Sequence, residues 1–193
     1  MALDIWRNLR LAIVLLAIVL AYSLVMVGVG QLFFPTQAQG SLITRGGQVV
    51  GSALIGQSFT GPGYFHGRPS ATVNAATGKP EPYNADNSSG SNLGPTNPAL
   101  LTEVKDNAAA LKGQVRGAIP ANLVESSASG LDPEITLGAA LQQVPAVARQ
   151  TGLRESAVRA LVLREAIGPF LGLYGPERVN VLELNLALQR LEH

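Results

Sequence analysis

The sequence predicts an α+β protein: a single N-terminal transmembrane helix followed by one mixed extracytoplasmic domain with a small β-sheet and several helices. Three observations carry that reading. Residues 11–34, LAIVLLAIVLAYSLVMVGVGQLFF, contain no Asp, Glu, Lys, Arg or His. About 150 residues follow Thr36, enough for one domain of ordinary size rather than two. Downstream, β-prone runs bounded by glycine alternate with stretches whose apolar residues recur at helical spacing.

The apolar run comes first. At 1.5 Å per residue it extends about 36 Å as a helix, more than the roughly 30 Å hydrocarbon core of a bilayer, so it crosses with some tilt. A lone segment in lipid must satisfy its own backbone groups, which leaves the α-helix. Two other readings compete. A signal peptide has an apolar core of only about 7–15 residues, and Thr36-Gln37-Ala38 makes a weak cleavage site. A core helix apolar all round needs more protein around it than a 193-residue chain supplies. Arg7 and Arg10 precede the run and the next charge is Arg45. The bias of Lys and Arg toward the cytoplasmic side predicts a cytoplasmic N-terminus at 1–10, a span at 11–34 and an extracytoplasmic domain at 35–193.

Pro35 ends the span and a short polar linker follows. Gly46-Gly47 between two β-prone runs predicts a hairpin with strands at 42–44 and 48–55, because both glycines accept positive φ. Tyr64, Phe65, His66 and Arg68 make a dense cluster in a chain that is only 5% aromatic. Fifteen of the 25 residues at 74–98 are Asn, Gly, Pro or Ser, which excludes a long helix or central strand there. With few charges to keep it solvated, this stretch reads as an ordered, partner-facing loop. Asn97-Pro98 is an N-cap and first helical residue, and Leu100, Val104, Ala108 and Leu111 give a helix stopped at Gly113. The 119–124 stretch is ambiguous. Asp132 is expected to cap a helix opened by Pro133 and running through Gln143, with Pro145 breaking or kinking it. A further helix is expected at 154–167 with Val158, Leu161 and Val162 inward. A short strand at 178–180 leads to a terminal helix capped by Asn180 with Glu183 three residues later. Leu191-Glu192-His193 reads as a possible expression-derived addition.

Composition excludes several chemistries. A net charge of +1 gives no nucleic-acid footprint. With no cysteine and two histidines, disulfides, thiolate metal sites and cysteine nucleophiles are absent, and no metal or catalytic site is predicted. A Ser-His-Asp relay would have to use His66, since His193 is terminal. Gly78-Lys79 fails as a phosphate loop, with Val73 and Pro80 where Gly and Ser or Thr belong. Residues 88–94, SSGSNLG, offer backbone amides for an anion or, more plainly, a tight turn.

Read in order, GSALIGQSF (51–59), YFHGRPSA (64–71), YNADNSSGSNLGPTNPAL (83–100), SGLDPEIT (129–136), QVPAVA (143–148) and VNVLELNLAL (179–188) resemble the KdpC family of potassium-transporting ATPase subunits. The resemblance covers nearly the whole chain, including the span. It implies a non-catalytic accessory subunit of a bacterial high-affinity potassium uptake complex in the cell membrane. The implied partners are a potassium-binding channel-like subunit, an ATP-hydrolysing P-type subunit and a small single-span subunit. It also implies help with assembly, or action as a catalytic chaperone that raises ATP affinity, with Gln143 at the position linked to nucleotide. ATP is then a cofactor only through the complex. Tyr64, Phe65, Arg68, Ser89, Gly90, Ser91 and Asn92 are the candidate partner interface, aromatics and Arg being common anchors. Changes at Arg68 or Gly90 are expected to weaken assembly while leaving the domain folded. The alternatives are a membrane-anchored extracytoplasmic hydrolase using His66 and a loop serine, and a stand-alone binding or sensor domain.

Overall fold

The computed structural model describes residues 2–191. The chain divides into a unit ending at Val50 and a second beginning at Gly51. In the first, helix α1 (Ala2–Phe33) contains the apolar run and continues back through Arg10 and Arg7. Its apolar window is 0% buried against protein, the exposure that a lipid- or helix-facing segment needs. Phe34, at φ −135° and ψ 53°, lies outside the α region, which the residue before a proline avoids. Pro35 opens a one-turn helix, α2 (Pro35–Ala38), where a polar linker was expected. Strands β1 (Leu42–Arg45) and β2 (Gln48–Ser52) pair across Gly46-Gly47, whose φ values of 58° and 80° suit a primed two-residue turn. β2 stops earlier than expected, and Ile55 contributes only an isolated bridge to Ser52.

The second unit is built on helices α3 (Pro98–Ala110), α4 (Leu137–Thr151), α5 (Glu155–Arg164) and α6 (Val181–Leu191), with a 3-10 turn at Ala121–Leu123. Strands β3 (Glu134–Thr136) and β4 (Arg178–Asn180) pair antiparallel, Ile135 opposite Val179. Ile135, Ala139, Val144 and Val147 pack with Val158, Leu161 and Val162 of α5 and Leu184 and Leu188 of α6 in one core. The α5 positions expected inward are the buried ones. That helix ends at Arg164, three residues short, because Ile167 exchanges both backbone hydrogen bonds with Arg178 and starts a ribbon.

Two caps follow the sequence reading. Asn97 Oδ1 accepts the Ala99 N–H at 2.9 Å, and Asn180 Oδ1 accepts the Glu183 N–H at 3.1 Å. The α4 expectation is corrected. Asp132 Oδ1 accepts the Glu134 N–H in a tight turn, the chain then extends as β3, and Thr136 is the cap. Pro145 lies inside α4 without ending it. It deprives the Leu141 carbonyl of its usual donor, while the neighbouring Gln142 carbonyl takes the Arg116 N–H at 3.1 Å from another segment.

Candidate functional site

The 64–70 segment has no regular secondary structure, so its backbone groups need other partners. Two buried side-chain amides supply them. Asn185 of α6 accepts the Phe65 N–H at 2.9 Å and donates to the Phe65 carbonyl at 3.0 Å. Gln143 of α4 accepts the His66 N–H at 2.8 Å and donates to the His66 carbonyl at 3.1 Å. Each amide imitates the edge of a β-strand, and between them Phe65 enters the core with 0% exposure. Tyr64 lies against Phe59 with ring centroids 5.5 Å apart and accepts from Gln189 at 3.0 Å.

Beyond the clamp, Arg68 holds Asp132 at 3.1 Å and donates to the Ser126 carbonyl at 3.4 Å. The Tyr83 hydroxyl donates to the Arg68 carbonyl at 2.6 Å. Ser70 Oγ donates to the Gly130 carbonyl at 2.7 Å and accepts the Tyr83 N–H at 2.9 Å. Asn84 and Asn87 both donate to the Val73 carbonyl, and Ser88 donates to the Ser129 carbonyl. The Asn- and Ser-rich stretch therefore gets its order from short side chains that serve in place of a ladder. Gly130, at φ 67°, sits where a Cβ would press into Thr72 and the Ser89 carbonyl.

Burial pushes the Tyr83 phenol up to about 12, with the Asp132 carboxylate adding to the rise and the Arg68 guanidinium opposing it. The folded phenol holds its proton more tightly than the unfolded one, whose ordinary value is 10.0. The stability it confers is complete below pH 10 and is lost as pH rises toward 12. Urea midpoints of the full chain are expected to fall more steeply over that window than those of Tyr83→Phe. Equal slopes would show that the phenol does not carry this dependence.

Of the sequence-derived candidates, Phe65 is a core residue and presents no surface to a partner. Arg68 is committed to Asp132 and Ser126. A Cβ on Gly90 would lie 2.8 Å from the Ala128 carbonyl, so bulk there separates the 88–92 loop from the 127–130 turn. From these contacts, substitutions at Arg68 or Gly90 are expected to disturb the domain itself, where the sequence reading expects it to stay folded. Ser89 and Ser91 are half-buried and Asn92 is exposed at φ 53° on the same loop. Gln143 lies in the middle of α4, buried, with its carbonyl and amide nitrogen both engaged by protein.

His66 Nδ1 donates to the Phe59 carbonyl at 2.7 Å. Its Nε2 is buried with no hydrogen-bond partner, so no serine hydroxyl is poised on it as a nucleophile. Among the described residues no group of three or more His, Asp or Glu side chains is placed to hold a metal ion. A groove of about 400 Å³, lined by Phe59, His66, Pro69, Leu111, Gln114 and Leu123 among others, runs beside α3. From the residues alone Gln143 reads as a helix-end side chain bonded to backbone, and it does bond backbone, though from mid-helix; the Asn185 clamp escaped the sequence reading. Only its place on the inward stripe of α6, among leucines, hinted at an obligatory polar contact.

Comparison with known proteins places the sequence in one family. Residues 5–190 match the profile of the family described as KdpC: K+-transporting ATPase, c chain. A potassium-transporting ATPase KdpC subunit from Rhodopseudomonas palustris strain BisB5 is 53% identical, over 94% of this chain and 96% of its own length. The protein of the same name from Bradyrhizobium diazoefficiens is 51% identical over 95% and 97%. That from Methylorubrum populi is 53% identical over the same shares.

Proposed function

The chain belongs to the KdpC family of K+-transporting ATPase chains, and from that premise we propose that it is a non-catalytic assembly subunit. Its span packs among other membrane helices, and its 51–191 domain docks on the outer side of its sister subunits. Potassium binding and ATP hydrolysis belong to those subunits, the channel-like and P-type chains. Any effect on ATP affinity passes through docking, not through Gln143 touching nucleotide. The observation that supports this reading most is the combination of a protein-naked α1 with a domain whose polar side chains are spent on its own backbone. The Arg7 and Arg10 flank supports a cytoplasmic N-terminus.

The 88–92 loop is the docking face we favour. Asn92→Asp tests it more cleanly than Arg68 or Gly90. Aspartate tolerates the left-handed backbone there, and its charge is costly only if the loop is covered by a partner. Gentle solubilisation of the full complex should recover an ATPase and a large polytopic subunit with the wild-type chain, and several-fold less with Asn92→Asp. Wild-type recovery from the variant would remove this loop from the interface. Absence of any ATPase subunit with the wild-type chain would remove the assembly role.

A further inference from the structure

Between α5 and β4 the chain makes a ribbon that the docking face above does not use. Ile167 pairs with Arg178, and Phe170 exchanges backbone hydrogen bonds with Tyr174 at 2.8 and 3.0 Å. The turn between them places Leu171 at φ 54° and Gly172 at φ 72°. A leucine in the left-handed region is strained, so the tip is held in one shape at some cost. That shape displays Phe170, Leu171, Leu173 and Tyr174, all 67–79% exposed. Residues 167–176 carry no charge at all. Four neighbouring large apolar side chains on a water-facing tip, with Phe170 and Tyr174 already paired through their backbones, mark a surface made to be covered.

We propose that this tip is a docking finger that seats in an apolar pocket on a sister subunit of the ATPase complex; the inference rests on the assembly role proposed above. Three features favour a protein pocket over a lipid surface. The chain is one subunit of a multichain ATPase family, so partner surface is at hand. The charges at the base are balanced, Arg164 with Glu165 and Arg178 with Glu134, and provide no basic collar for anionic headgroups. A fixed, strained display lowers the ordering cost of entering a shaped cavity, whereas a fluid bilayer requires no fixed shape. Phe and Tyr flanking two leucines form the kind of compact anchor that dominates an interface.

The test uses the full chain co-expressed with its sister subunits. Benzoylphenylalanine is introduced at position 171 or 173, and at exposed position 112, outside both the tip and the 88–92 loop, as a control. After irradiation in mild detergent, the expected result is a covalent adduct to a sister subunit from 171 and 173 and none from 112. Leu173→Ser should reduce the recovered sister subunits by roughly ten-fold. The finger is overturned if the wild-type chain recovers its sister subunits while probes at 171 and 173 label only lipid, only a second copy of this chain, or nothing. If the wild-type chain recovers no sister subunit, the assembly role falls and the finger falls with it.

Discussion

Phe65→Ala lowers the unfolding free energy of the domain by about 3–5 kcal/mol, the loss usual for truncating a fully buried phenylalanine. The ring is 0% exposed and belongs to the same cluster as Val144, Val158, Leu184 and Leu188. The site is poorly able to collapse onto the space left behind. Phe65 enters from a segment pinned at its own backbone by Asn185, and the next residue is pinned by Gln143. The cavity therefore stays open, which puts the loss toward the upper end of that range. Thermal or urea unfolding of the full chain in detergent, followed by far-ultraviolet dichroism, measures it. A loss below about 1 kcal/mol would mean that Phe65 is not the keystone of this core.

Asn185→Ala is the companion result, with an expected loss of about 3 kcal/mol. The change removes one amide but strands two backbone groups, the N–H and the carbonyl of Phe65, in a region from which water is excluded. Each stranded group costs about 1–3 kcal/mol. Asn185→Asp separates the two halves of the clamp. It keeps an acceptor for the N–H, loses the donor to the carbonyl and buries a charge, so it should be at least as damaging. Because Phe65 and Asn185 act on one segment, the double substitution should cost less than the sum of the singles. Strict additivity, or an Asn185→Ala variant as stable as wild type, would show that the clamp does not hold Phe65.

How much of this was legible depended on the range over which each residue acts. Asn97, Asn180 and Gly46-Gly47 could be read because a cap or turn is decided within three residues. The apolar run of α1 was legible because its length matches a bilayer. Gln143 and Asn185 were not legible as clamps, since their partners lie 77 and 120 residues away. Pro145 was read as a break or a kink because the local rule weighs only the donor lost to the Leu141 carbonyl, whereas α4 runs on through it with Val144, Val147 and Ala148 buried in the core. Phe65 looked like an interface aromatic because composition cannot separate a ring that faces a partner from one that faces its own core. The 167–176 stretch posed the reverse problem, apolar enough for a core and lying on the surface.

The clamp on Phe65 also sets an order of events during synthesis. The segment that must be gripped emerges 120 residues before the asparagine that grips it. At about 5–20 residues per second, the interval is roughly 6–24 s. Throughout that time the Phe65 N–H and carbonyl lack the amide that pairs them, and closing so long a loop is a slow step. The pocket around Phe65 therefore closes only once α6 has been made.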